Sequence, residues 1–72
     1  MGIGDRIRKI REEKGLSLEE FARKVGLPVS RLEEIERGKV PPCDAVLVYI
    51  SKIFDVDFWW LKEGERRVAE VA

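Results

Sequence analysis

The 72-residue chain contains no histidine. That removes the side chain that most often moves protons near neutral pH and ligates metals. Its single cysteine, Cys43, excludes an internal disulfide and suits a reducing compartment. No apolar run approaches the roughly 20 residues that a membrane-crossing helix needs. No apolar segment of secretory type follows Met1. The expected location is therefore cytoplasmic, with no membrane partner. Excess charge is missing too: 14 basic residues balance 14 acidic ones, which argues against indiscriminate binding to polyanions. No nucleophile–base pair or metal-ligand set can be assembled, so neither an enzyme nor a bound cofactor is expected. Strand-type alternation, repeats and low-complexity segments are also absent from the pattern.

What is present describes one small domain. Hydrophobic residues make up 44% and charged residues 39% of the chain, a globular mixture with a charge-rich surface. So short a chain has a marginal core, which favours stabilisation by a partner. The neutral total hides a polarity. Arg6, Arg8, Lys9, Arg11 and Lys14 crowd the first 16 residues. Between Val40 and Gly64, Lys52 and Lys62 face Asp44, Asp55, Asp57 and Glu63. A polarised molecule can meet a polyanion with one face while remaining neutral overall.

The organising stretch is Leu16 to Lys39, LSLEEFARKVGLPVSRLEEIERGK. Ser17 and Glu20 have capping-box spacing, and Leu16 and Phe21 flank them as a hydrophobic staple. A helix over Leu18–Val25 is expected to end at Gly26, which adopts left-handed backbone at no steric cost. The next helix is expected over about Pro28 to Arg37, opened by a proline whose missing N–H has no helical partner to lose. It turns Leu32 and Ile35 inward and stops at Gly38. Two short helices joined through a tight glycine turn form a helix-turn-helix, whose DNA-binding version puts the second helix in the major groove.

The remaining elements are helical too. A first helix from about Ile3 to Lys14 carries Ile3, Ile7 and Ile10 as a narrow apolar stripe and stops at Gly15. Its opposite, Arg/Lys-rich face reads either as solvated or as a phosphate contact. Pro41 and Pro42 break the chain. A fourth helix follows from Cys43 or Asp44 to Phe54, burying Val46, Leu47, Ile50 and Phe54. Val48, Tyr49 and Ile53 widen that apolar face beyond what a monomer's core needs. Asp57 caps a fifth helix, Phe58 to Glu63, which Gly64 closes. Residues 66–72 read as a C-terminal tail after a domain spanning residues 1–65. The fold class is all-α, a compact five-helix bundle.

These residues resemble the Cro/C1-type helix-turn-helix domains, also called xenobiotic-response-element or phage-repressor-like domains. The matching text is IRKIREEKGLSLEEFARKVGLP, then RLEEIERGK, PP and IFDVDFWWLKEGE, covering roughly Ile3 to Glu65. Its most specific part is Leu32-x-x-Ile35-Glu36-x-Gly38-Lys39. The resemblance implies a lambda-repressor-like arrangement and a sequence-specific double-stranded DNA-binding regulator, most simply a repressor that occupies an operator and excludes polymerase.

Site residues follow from the same resemblance. Arg11 and Glu36 match a partly buried structural ion pair, and both flank inward isoleucines here. Val29, Ser30 and Glu34 match base-reading positions, with Arg31 beside them as a guanine reader or phosphate clamp. Arg37 and Lys39 are expected on phosphates, as are backbone amides that start the second and fourth helices. The family's tryptophan corresponds to Trp60, expected in the core against the fourth helix. Trp59 is then outward and, with Tyr49, marks a homodimer contact. A two-fold dimer reads a pseudo-palindromic operator. Two departures stand out: Leu18 replaces the glutamine that many members place near phosphate, and Glu33 adds a second carboxylate to Glu34. They keep open a protein-interaction module on the same fold. An antitoxin or restriction-controller regulator is a further alternative.

Overall fold

The computed structural model describes residues 2–64. The proposed tail, residues 66–72, lies outside the described residues, as do the outermost residues of the 1–65 domain. Five α-helices follow in order: α1 Ile3–Glu13, α2 Leu18–Val25, α3 Val29–Glu36, α4 Asp44–Phe54 and α5 Phe58–Glu63. No strand occurs among the described residues.

The helix ends obey local chemistry. Ser17 Oγ accepts from the Glu20 amide at 3.1 Å, and the Ser17 amide donates to Glu20 Oε1 at 2.9 Å. The Ser17 amide first, then its hydroxyl, holds the Glu20 carboxyl below an ordinary glutamate pKa. Because the folded pKa is lowered, the carboxylate's support is complete above the unfolded pKa and is lost as pH falls through the folded one. In an acid titration, the Ser17 amide resonance should move with Glu20 and report a midpoint below that of a free glutamate. A Ser17 amide that ignores this titration would disprove the reciprocal cap.

Three expected boundaries shift by one residue, the first being Lys14, which caps α1 rather than extending it. Pro28 is not the first helical residue but the extended residue before it, with ψ 145°, and Arg37 caps α3 rather than extending it. Gly38, at φ 79°, then turns the chain. Its amide bonds to Ile35 O, and the Lys39 amide reaches back to Glu34 O at 2.9 Å. This pair of bonds is a Schellman closure, and it leaves Lys39 beside the end of α3.

The core joins all five helices through Ile7, Ile10, Phe21, Leu32, Ile35, Leu47, Ile50, Phe54 and Leu61, with Ala22 and Val25 between them. Phe21 and Phe54 stack with centroids 4.9 Å apart, tying α2 to α4. Three sequence expectations need correcting. Val46 is half-buried at the edge of the core rather than within it. Trp60 is also half-buried, and the fully buried residue of α5 is its neighbour Leu61. Each helical step rotates the side chain by about 100°, so seating Leu61 moves Trp60 to the rim. There it lines a groove with Lys9 and Ile10.

Arg6 is the third correction. Instead of lying on a solvated face it is buried, with Nε donating to Leu61 O at 2.9 Å and Nη2 to Lys62 O at 3.0 Å. A six-residue helix leaves most of its carbonyls without internal partners. The forked guanidinium reaches across from α1 to satisfy two of them.

Candidate nucleic-acid interface

Helices α2 and α3 are separated by Gly26, Leu27 and Pro28, with Gly26 at φ 75°. Leu32, Ile35 and Glu36 anchor the inner side of α3. Ser30, Arg31, Glu33 and Glu34 are all exposed on its outer side, followed by exposed Arg37 and Lys39. Ser30 and Glu34 sit one turn apart, so they share a face. Arg31 Nε lies 3.7 Å from Glu34 Oε1. Val29 is different: it is half-buried and packs against the core, so part of its side chain is committed to the fold.

The joint that orients α3 is polar. Arg11 grips Glu36 with both arms, Nε to Oε2 at 2.8 Å and Nη2 to Oε1 at 3.1 Å, and its Nη1 holds Leu16 O at 3.1 Å. The Glu36 hydrogen bond raises the Arg11 pKa further, so the guanidinium stays charged. Arg8 adds a second cation. Its Nη2 donates to Glu36 O at 2.9 Å, and its Nε lies 3.5 Å from Glu36 Oε1. Gly4 lets α1 approach this junction: a Cβ there would stand 2.9 Å from Glu36 O. Sequence reasoning missed Arg8 and Gly4. Arg8 could have been found, because it lies three residues before Arg11 on the same helix face.

The family model for a helix-turn-helix, HTH_3, matches residues 7–61. The chain belongs to this helix-turn-helix family. Among its relatives is the HTH-type transcriptional regulator SinR of Bacillus subtilis, 44% identical over 55 residues, or 75% of this chain and 50% of SinR. The HTH-type transcriptional regulator RamB of Mycobacterium tuberculosis is 35% identical over 71 residues, covering 96% of this chain and 15% of RamB. The chain therefore spans half or less of these two regulators. A crystal structure of SinR, the master regulator for biofilm formation, in complex with DNA superposes with a TM-score of 0.75. It is 42% identical and covers 82% of this chain and 95% of that one.

The helix-turn-helix of this family is thus α2, the Gly26 turn and α3. Its outer face is chemically mixed, with Arg31, Arg37 and Lys39 against Glu33 and Glu34. Leu18, at the start of α2, is half-buried and packs on the core. At the start of α4, Cys43 is exposed and makes no side-chain cap. Away from α3, Tyr49 is 51% and Trp59 39% exposed, alongside Val48 and Ile53 at 40% each. Trp59 meets Phe58 edge-on at 5.1 Å, and the Lys62 ammonium lies 5.9 Å from its ring centre.

Proposed function

We propose that this chain binds double-stranded DNA at a specific sequence and acts as a small transcriptional regulator, a repressor working by occupancy of its operator. The observation that carries this reading is α3, which is anchored through its inner side while Ser30, Arg31 and Glu34 stand exposed together on its outer side. Likeness to a SinR structure in complex with DNA supports it. In this reading α3 enters the major groove. Ser30 and Arg31 meet base edges, with Val29 offering its exposed methyl surface to thymine and Glu34 at the same edge. Arg37 and Lys39 hold phosphates, setting register without reading sequence.

Selection from random duplex DNA at two salt concentrations tests this. A discrete sequence should emerge, with affinity falling as salt rises. Arg37→Ala and Lys39→Ala should each weaken binding to all sequences alike and lower the salt slope by about 1. Enrichment of no sequence would refute the proposal and favour a protein-interaction module, the reading that Glu33 and Glu34 support.

The protein also acts as a two-fold dimer in this proposal, through its exposed aromatics Tyr49 and Trp59. Large exposed aromatics are typical anchors of association surfaces. Such a dimer spaces its α3 helices about 34 Å apart and reads a pseudo-palindrome. Trp59→Glu should yield a sedimenting monomer that still contacts a single half-site. A variant that remains dimeric would move the interface elsewhere.

A further inference from the structure

We propose that Glu34 is a positioning residue for Arg31, so that the two act as one base-reading unit and Glu34 does not read a base by itself. The inference rests on the DNA-binding reading above and assigns its specificity. Arg31 and Glu34 lie on the outer face of α3, three residues apart, with Arg31 Nε facing Glu34 Oε1 at 3.7 Å. Both side chains are about half exposed, at 58% and 49%. No other ion pair of either residue occurs among the described residues. An exposed pair of this spacing adds little to the stability of a folded domain, and α3 is already held through Leu32, Ile35 and the Arg11–Glu36 grip. The pair is therefore not needed to build the helix.

Its geometry suits recognition. The carboxylate lies nearest the guanidinium at Nε, so the Nη1 and Nη2 edge stays available to another acceptor. That edge is the one matching the N7 and O6 acceptors of guanine. A long arginine loses much rotamer freedom when it docks. Drawing Nε toward the carboxylate in advance biases the fork's approach and reduces that loss. The pairing also offsets the repulsion between this carboxylate and nearby phosphates, because its partner cation is on the same helix. Glu33 is two residues from Arg31 and off its face, and among the described residues no ion pair involves it.

The test is a positional preference map for the full chain and three variants, Glu34→Gln, Arg31→Ala and the double variant, with salt dependence measured in parallel. Glu34→Gln keeps the shape and hydrogen-bonding reach but removes the charge. The expected result is that Arg31→Ala and Glu34→Gln each relax preference at the same guanine by about tenfold. Neither should change preference elsewhere, and the double variant should be no worse than Arg31→Ala alone. A folded Glu34→Gln protein with an unchanged map would overturn the inference while leaving DNA binding intact. So would relaxation at a position Arg31 does not control, which would make Glu34 an independent reader. If the parent chain selects no sequence, both the inference and the DNA-binding reading fall, a result distinct from the other two.

Discussion

Glu36→Ala is expected to destabilise the domain by about 3–5 kcal/mol, the cost of breaking a buried charge pair from one side. At this domain size each kcal/mol lowers the melting temperature by about 4–8 °C, so the variant should be largely unfolded where the parent is folded. The reason is an asymmetry at the junction of α1 and α3. Glu36, with its side chain 6% exposed, is held by two guanidinium groups. Removing the carboxylate leaves Arg11, whose side chain is only 15% exposed, as an uncompensated cation. Arg8 is 41% exposed and can turn to water. Arg11→Ala should also destabilise, but less, because Glu36 then keeps Arg8. The paired change Arg11→Met with Glu36→Leu should recover much of the loss, since two apolar side chains of similar volume remove the desolvation problem altogether. Thermal melts of these variants decide the matter. A Glu36→Ala melt within a degree or two of the parent's would show that the joint is dispensable.

Gly4→Ala should be the other severe change. In an ordinary helix this substitution stabilises by about 1 kcal/mol. Here the added methyl would press into main-chain carbonyls at the end of α3, within 2.9 Å of Glu36 O. Backbone cannot rotate aside as a side chain does, so α1 and α3 must separate. The overpacking cost is expected at about 3 kcal/mol or more, leaving a net loss of about 2 kcal/mol. Urea unfolding should show a lower midpoint with an unchanged slope. An increase in stability would mean that the helices can part without loss.

Features with nearby partners were legible in the chain itself. Ser17 and Glu20, Gly26, Asp57 and Gly64 each complete their bonding within a few residues, and they delimit the helices as their chemistry dictates. The inward pattern of Leu32 and Ile35 likewise follows from helical period alone. What escaped depends on distant neighbours. Arg6 finds its acceptors 55 and 56 residues away, and nothing local distinguishes it from a solvated arginine. Gly4 sits inside a helix, where a missing side chain has meaning only because another helix crosses there. Trp60 was misplaced because two adjacent tryptophans invite a choice between them, whereas the core chose Leu61 beside them. The interface divided along the same line. The exposure of Ser30 and Glu34 opposite Leu32 and Ile35 was readable from helical period, while the second cation on Glu36 required the packing of α1 against α3.

The separation of α3 into an anchored side and an exposed side has a further consequence for how such a protein diversifies. Leu32, Ile35 and Glu36 carry the attachment, and Ser30, Arg31, Glu33 and Glu34 contribute nothing to the buried core. Surface changes of that kind typically alter stability by no more than about 0.5 kcal/mol. The four positions can therefore be exchanged as a block while the scaffold is inherited unchanged, and under the proposed function such an exchange would redirect the protein to a different operator.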